Sequence, residues 1–527
     1  MKKPYLKAWA FALLASVAGL TQSCRDDSLY EEPSWLGNSI YERLQEEGNY
    51  TYTLRLIDSL GLTDVFRQTG SKTLFVTDDE TYDAYFASKG IKSFDELSEA
   101  QIKMLLNSAM INNAYLIDLL SNVSGNPPES GQCMRRPTAV SAYDSVSRIM
   151  PSEMPNTPYW EKYKDKKEGI VLLRDNTPQP MIHFLPSYMR KHGITNADLQ
   201  KLTNGQCNNV SDSYVNGMKV IERDITCKNG YIHKVDGVMM SADNMANIIN
   251  NHPLMSTYAS LLNRFSAPYY DATATATYNR LYNNTDSVYV LRYFAETSAV
   301  GSLSTDPDGQ TVDAQLMYDP GWNEYIYSNT AGYDLHYDAG AMLVPTNKAL
   351  DNWWNGAGKV IQDMYGSWEN VPMKVLVKLL NLNMINAFSE TFPSKFNNIV
   401  DNATKVPIGI KPADVDSCFM GCNGVVYLTN VVFTPAEYSS VSFPALINQN
   451  TMSVIYWGLE QLNFEAYLNS MDSYYSFIIP TNNAMLEYID PCSYATYPLT
   501  ILYRFYYDTQ AKTVKANRFR YNVETKS

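Results

Sequence analysis

The 527-residue chain has little histidine and a deficit of positive charge. Five histidines leave little material for a histidine-centred active site. The 42 lysines and arginines are outnumbered by 55 acidic residues, and the formal net charge is −13. Such a chain offers no basic stripe for a phosphate backbone, so nucleic acid is not an expected partner. Beyond Leu20, no stretch reaches the roughly 18 apolar residues that a membrane-spanning helix needs.

Cysteine is also sparse. Apart from Cys24, the six cysteines stand at 133, 207, 227, 418, 422 and 492, too few for a disulfide scaffold in a chain of this length. Cys418 and Cys422 are four apart, but no second Cys or His pair has metal-ligand spacing, so we expect no zinc site and no cofactor. Isolated buried thiols, or one or two bridges, both remain open.

Tyrosine, in contrast, is abundant. There are 40 tyrosines against 18 phenylalanines. Tyrosine supplies a large amphipathic contact surface at low entropic cost and is favoured where proteins touch partners or sugars. The length allows about three domains of ordinary size.

The N-terminus has the pattern of an export signal. Lys2, Lys3 and Lys7 precede the apolar run from Ala8 to Leu20, which is too short to span a bilayer. The run ends in Thr21-Gln22-Ser23-Cys24, which resembles the lipobox of bacterial lipoproteins, although Thr21 stands where that pattern prefers leucine. The resemblance implies that Cys24 becomes the lipidated first residue of the mature chain. An ordinary cleaved signal peptide is the alternative.

The residues after Cys24 indicate where the anchored protein faces. Asp26 and Asp27 begin a polar stretch, and acidic residues there resemble the surface-export signal of lipoproteins from Bacteroides-like bacteria. We therefore expect an outer-membrane lipoprotein that faces the cell exterior, held by lipid on a short flexible tether.

An apolar run followed by a helix cap occurs three times. Thr73-Leu74-Phe75-Val76-Thr77-Asp78-Asp79 recurs as Ala341-Met342-Leu343-Val344-Pro345-Thr346-Asn347 and as Ser476-Phe477-Ile478-Ile479-Pro480-Thr481-Asn482. Each copy predicts a buried strand that leads into a capped helix. In the first copy, Thr77 and Glu80 predict a capping box. We call this element box one.

A second element occurs twice. Asn229-Gly230-Tyr231-Ile232-His233-Lys234-Val235-Asp236-Gly237-Val238 aligns without gaps on Asn423-Gly424-Val425-Val426-Tyr427-Leu428-Thr429-Asn430-Val431-Val432. Asn-Gly is a strong hairpin signal, and the alternating apolar residues after it predict a strand. We call this element box two. The period is nearly 200 residues, so the repeats are whole domains.

Together the boxes resemble those of the fasciclin (FAS1) family, T-L-F-x-P-T-D and N-G-V-I-H-x-I-D-x-V. Val76-Thr77 lacks the usual proline, and Tyr427 stands where histidine is common, a place that His233 fills in the first copy. The resemblance implies an α+β fold of tandem FAS1-like domains, each a wedge of two small sheets packed with helices. Both boxes would then be scaffold, and no catalytic site is expected in them.

The spacing of the boxes predicts the domain organisation. The segment between box one and box two is longer in the first copy than in the second. The segment between the start of the domain and box one is longer in the second copy. These differences indicate two insertions. The predicted segments are a signal peptide (1–23), a tether (24–37), domain one (38–242) with an insertion near 122–216, domain two (243–437) with an insertion near 262–338, and an incomplete domain three (438–527).

The two insertions differ in composition. Proline and charge in the first insertion favour an ordered surface loop. The second insertion combines many aromatic residues with short polar side chains, which is typical of a binding surface or of sugar-stacking sites. Packing of these rings against the domain is the competing interpretation. The candidate binding residues are Tyr269, Tyr270, Tyr278, Tyr282, Tyr318, Trp322, Tyr325 and Tyr327.

These patterns favour a non-catalytic, lipid-anchored surface protein for adhesion or for binding a glycan or an extracellular protein. The alternative is an accessory subunit of a SusC/SusD-like outer-membrane nutrient importer. A glycoside hydrolase is a third possibility, but no carboxylate pair stands out in the sequence.

Overall fold

The computed structural model describes residues 37–68, 70–122, 129–324, 338–401, 406–462, 464–469 and 474–527, and the fold is α+β. The predicted signal peptide, Cys24 and the tether up to residue 36 lie outside these ranges. Within them, no helix combines the length and apolarity that crossing a bilayer requires.

Helices and strands are named here in chain order. The α-helices are α1 (Ile40–Glu47), α2 (Thr51–Ser59), α3 (Thr63–Gln68), α4 (Asp79–Lys89), α5 (Glu99–Ser108), α6 (Pro158–Lys164), α7 (Pro186–His192), α8 (Asn196–Leu202), α9 (Met245–Asn251), α10 (Ser256–Asn263), α11 (Ala272–Tyr282), α12 (Asn347–Asn355), α13 (Lys359–Tyr365), α14 (Met373–Leu382), α15 (Phe443–Ile447), α16 (Gln449–Gln461) and α17 (Glu465–Leu468). The strands are β1 (Lys72–Val76), β2 (Met110–Ile111), β3 (Arg135–Pro137), β4 (Ser147–Ile149), β5 (Ile170–Leu173), β6 (Pro180–Phe184), β7 (Tyr214–Val215), β8 (Met218–Cys227), β9 (Gly230–Val235), β10 (Ser266–Tyr270), β11 (Val288–Tyr293), β12 (Ala295–Thr297), β13 (Leu316–Tyr318), β14 (Gly340–Pro345), β15 (Met384–Ile385), β16 (Val415–Gly421), β17 (Gly424–Thr429), β18 (Tyr488–Ile489), β19 (Leu499–Asp508) and β20 (Thr513–Asn522).

The first copies of the two boxes lie side by side in the N-terminal sheet, whose strand order is β2-β1-β9-β8-β7-β6-β3. Box one forms β1, which pairs in parallel with β9 of box two, so that Phe75 lies opposite His233. On its other side β1 pairs antiparallel with β2. Gly230 must be glycine, because a Cβ there would lie 1.9 Å from the carbonyl oxygen of Lys72.

The second copies form the central sheet with the same arrangement, in the order β15-β14-β17-β16. Leu343 lies opposite Tyr427, as Phe75 lies opposite His233. The box-two asparagines also act alike, since the Asn229 side chain accepts a hydrogen bond from the Ile40 N–H and that of Asn423 accepts one from the Met245 N–H. Strand order, register and these hydrogen bonds all repeat.

The third copy of box one differs from the prediction of a buried strand. Ser476–Pro480 form no strand, and Ile478 is 93 % exposed. In the first two copies this segment is held between an antiparallel and a parallel neighbour, whereas the described residues provide neither for the third copy. The predicted helix after it is a short 3₁₀ turn, Ala484–Glu487.

The predicted capping box at Thr77 and Glu80 is also wrong. The N-cap of α4 is Asp78, one residue later, and its carboxylate accepts the backbone N–H of Thr81. Asp and Thr are both good N-caps, so the sequence alone did not decide between them. In the second copy, Thr346 caps α12 as its position predicts.

The first insertion is a packed part of the fold, contrary to the prediction of a surface loop. Its strands β3, β6 and β7 extend the N-terminal sheet. Met134, Phe184 and Tyr188 pack against one face of the central sheet, where Leu343 and Tyr427 lie. The apolar residues of β5 and β6 are wholly buried, and such short apolar runs are typical of core strands.

The two insertions also share a sheet, in the order β10-β11-β5-β4, which we call the bridging sheet. Within it β11 of the second insertion pairs in parallel with β5 of the first. Arg135 adds a buried link. Its guanidinium donates to the backbone carbonyl oxygens of Asp338 at 2.6 Å and Cys422 at 3.3 Å. The insertions therefore join the two box pairs into one packed structure.

His233 and the cysteines have structural environments. The His233 Nδ1 atom accepts the Asp224 N–H at 3.1 Å, and Nε2 lies 3.0 Å from the Tyr115 carbonyl oxygen. Burial lowers the pKa of His233. This favours the neutral imidazole, which has a hydrogen-bond partner at each ring nitrogen. The six cysteines after Cys24 are free thiols, and all but Cys492 are buried.

Candidate functional site

Two of the predicted binding residues are buried in the structure. Tyr318 is 2 % exposed and Trp322 is 4 % exposed. The Tyr318 hydroxyl donates to the Ala341 carbonyl oxygen at 2.8 Å, on the central sheet. Both side chains are therefore core residues of the second insertion and offer no ring face to a ligand. Tyr325 and Tyr327 lie outside the described residues.

The four remaining candidate tyrosines lie in two different environments. Tyr269 donates to the Thr305 carbonyl oxygen, and the neighbouring Tyr270 is 57 % exposed. Tyr278 and Tyr282 lie together on α11 with ring centroids 5.0 Å apart, and Tyr282 hydrogen-bonds to Asp144 of the first insertion. As binding residues, these tyrosines remain a prediction.

A buried pair of carboxylates lies where the insertions meet, but it serves the fold. Asp175 accepts the Thr177 and Asn323 N–H groups. Asp319 accepts the N–H groups of Tyr293 and Gly321 at 3.2 and 2.8 Å. These backbone hydrogen bonds fix the turns on both sides of the junction.

Asp319 should make stability depend on pH. Burial raises its pKa from 3.8 to about 7, and the neighbouring Asp175 adds to the rise while Arg292 opposes it. A carboxyl group with a raised folded-state pKa stabilises the fold below its unfolded pKa, and that contribution is lost as pH rises through the folded value. We expect the free energy of unfolding to fall by roughly 2 to 4 kcal/mol between about pH 4 and 7 from this group.

Asp319→Asn should remove this group's contribution to the fall in the free energy of unfolding between about pH 4 and 7. Urea unfolding at several pH values measures this slope. The substitution also lowers stability at acidic pH, because an amide has only one oxygen for the two N–H groups. The matched control is Asp95→Asn, which changes an exposed carboxylate. An unchanged slope in the Asp319 variant would contradict this account.

A cleft of about 850 Å³ lies where the two insertions, α14, α16, residues 482–486 and the C-terminal hairpin meet. The first insertion contributes residues around Tyr159, and the second contributes Asp313. The start of α14 and the start of α16 form the next wall. The hairpin of β19 and β20 closes the cleft with Phe505, Tyr506, Tyr507 and Lys512. Its volume lies within the range of roughly 300 to 1,000 Å³ that is usual for small-molecule sites.

The cations in the cleft wall all have acidic neighbours. Lys374 pairs with Glu460 at 3.1 Å, and Lys512 pairs with Asp313 at 2.6 Å. Arg264 donates to the Trp368 carbonyl oxygen at 2.8 Å and interacts with the carboxylate of Glu369. The charges therefore balance within the wall.

Amide and aromatic groups provide the rest of the lining. Asn450 and Asn483 are exposed, and their side-chain amides make no hydrogen bond within the described part of the chain. Tyr506 is 40 % exposed. The hydroxyl of Thr157 is buried in the wall without a partner among the described residues. A buried hydroxyl of this kind calls for a ligand or water to complete its bonding.

Sequence reasoning did not find this cleft. Its residues are drawn from segments more than 300 positions apart, and no spacing within a single box or insertion brings them together. The one signal available was the Tyr506-Tyr507 pair next to the turn residues of a hairpin. Among the described residues, no cluster of three or more His, Cys, Asp or Glu side chains could hold a metal ion.

No protein-family model matches the chain, and no curated protein matches it. A solved structure of a FAS1 domain pair from the insect cell adhesion molecule fasciclin I is similar at 10 % identity, over 74 % of this chain and 99 % of that one, with a TM-score of 0.23. A TM-score this low does not establish a shared fold, so the resemblance to FAS1 domains depends on the sequence boxes.

Proposed function

We propose that this chain is a non-catalytic surface lipoprotein that binds an extracellular ligand, either a glycan or a protein. Lipidated Cys24 would anchor it to an outer membrane, with the folded part facing the exterior. The observation that carries the binding role is the cleft, which offers unpartnered amides, an accessible tyrosine and a buried hydroxyl in one concavity.

The proposal includes a tandem FAS1-like organisation. Its support is the box motifs together with the matching strand order and register of the N-terminal and central sheets. The two box pairs occupy equivalent positions in their sheets, as expected for duplicated scaffold. Ligand binding is then assigned to features that lie between the repeats rather than to the boxes themselves.

The test uses the secreted form in which Cys24→Ser prevents lipidation. It is applied to immobilised glycans and to a panel of extracellular matrix proteins. We expect specific, saturable binding to at least one ligand class. Failure to bind across both panels would contradict the proposal. Lipidation is tested separately, by radiolabelled palmitate incorporation into the wild-type chain and its absence in Cys24→Ser.

An accessory subunit of a SusC/SusD-like importer is a second candidate, favoured by the apolar surface of the C-terminal part. Between residues 462 and 519, many large apolar side chains are exposed, which is typical of surfaces that contact other proteins. The most exposed are Leu462, Tyr467, Tyr474, Ile478 and Tyr497. Purification of the native lipoprotein from membranes distinguishes the candidates: co-purification of a transporter supports the second, and recovery of the chain alone contradicts it.

A further inference from the structure

We infer that the cleft between the insertions, α14, α16 and the β19–β20 hairpin binds an uncharged oligosaccharide. The inference rests on the proposed binding function and specifies its ligand and its site. Four properties of the cleft support it: its balanced charge, its unpartnered amides, its accessible aromatic surface and its size.

The charge balance argues against an anionic ligand. Phosphate, sulfate and carboxylate groups are bound by cations that are available for bidentate or multiple contacts. In this cleft, Lys374 and Lys512 are already paired with Glu460 and Asp313. Arg264 interacts with Glu369. An anion would have to break the two lysine pairs or approach the carboxylates, so a neutral ligand is favoured.

The amides provide what neighbouring sugar hydroxyls require. Each side-chain amide carries two N–H donors and an oxygen acceptor, so it can donate to one hydroxyl and accept from the next. Asn450 and Asn483 are exposed in the cleft. The nearby Asn482 amide is used within the fold, where its oxygen accepts the Val454 N–H and its nitrogen donates to the Ser453 hydroxyl. Asn482 thus fixes the wall, and Asn450 and Asn483 remain available.

The aromatic residues provide the complementary apolar surface. One face of a sugar ring consists of C–H groups, which pack on an aromatic ring. Tyr506 is accessible, whereas Phe505 packs against Tyr488 with centroids 5.6 Å apart. The ring of Tyr507 lies 5.7 Å from the Lys374 ammonium group. Tyr506 lines the cleft and is more exposed than Phe505 and Tyr507, so the inference gives the stacking role to Tyr506.

The experiment measures binding of the Cys24→Ser protein to a neutral glycan array and then to the best-bound oligosaccharide by isothermal titration calorimetry. An acidic panel of oligogalacturonides and heparin fragments is tested in parallel. We expect binding to a neutral oligosaccharide, with affinity reduced about tenfold or more by Tyr506→Ala and by Asn483→Ala. The matched control is Tyr494→Ala, which removes a tyrosine of similar exposure outside the cleft and should leave the affinity unchanged.

Neutral-glycan binding that survives both cleft substitutions, or that is lost in Tyr494→Ala instead, overturns the assignment of the site. Binding to the acidic panel alone overturns the assignment of the ligand class. Binding to a matrix protein without any glycan overturns this inference and leaves the proposed function intact, whereas no binding to any probe overturns both.

Discussion

Asn423→Ala is expected to lower the free energy of unfolding by about 3 to 5 kcal/mol, because the side chain satisfies three buried backbone groups at once. Its oxygen accepts the Met245 N–H at 2.8 Å. Its nitrogen donates to the carbonyl oxygens of Pro320 and Trp322 at 2.9 and 2.8 Å. Alanine leaves the Met245 N–H and the Trp322 carbonyl oxygen without these partners in a buried site, while the Pro320 carbonyl oxygen keeps only its hydrogen bond from the Ala246 N–H. Urea unfolding followed by tryptophan fluorescence measures the loss.

The first copy of box two provides a matched comparison. Asn229 occupies the equivalent position but satisfies only two buried groups, the Ile40 N–H and the Phe66 carbonyl oxygen. Asn229→Ala should therefore cost less, about 2 to 3 kcal/mol. Equal losses for the two variants, or a loss below 1 kcal/mol for Asn423→Ala, would contradict the role assigned to these asparagines.

Arg135→Met should destabilise the protein by a comparable amount, about 3 to 5 kcal/mol, because it removes a buried charged donor whose acceptors remain buried. Arg135 is 1 % exposed, and it links the first insertion to the carbonyl groups of Asp338 and Cys422, which lie just before the parallel strands β14 and β17. The same unfolding experiment measures this loss.

A surface arginine serves as the control for Arg135. Arg223 pairs with Asp118 at 3.1 Å, and both side chains are more than half exposed. Arg223→Met should change stability by less than about 1 kcal/mol. If the two arginine variants unfold at the same denaturant concentration, the insertion does not stabilise the junction as described.

Local pattern was enough to predict part of the fold. The apolar runs of box one and the Asn-Gly hairpins of box two are strands in both complete copies, and the equivalence of His233 and Tyr427 holds in the register of the sheets. These features are set by alternation, capping and turn chemistry over a few residues, and such signals are present in the sequence itself.

Features that depend on distant partners were not predictable in the same way. Phe477-Ile478-Ile479 has the composition of a buried strand but lacks neighbours in the described structure, so it is not one. Tyr318 and Trp322 have the composition of a binding surface, yet both are buried, and Tyr318 packs with Met342 of the central sheet. The cleft depends on how the insertions, α14, α16 and the C-terminal hairpin pack, which no local pattern specifies.

The most direct test of the account is a crystal structure of the Cys24→Ser protein with the neutral oligosaccharide that it binds best. The account predicts a sugar ring against Tyr506, with hydroxyl groups in hydrogen-bond contact with Asn450 or Asn483 and with the Lys374–Glu460 and Lys512–Asp313 pairs intact. An oligosaccharide bound elsewhere, for example against Tyr278 and Tyr282 on α11, with the cleft empty would contradict it.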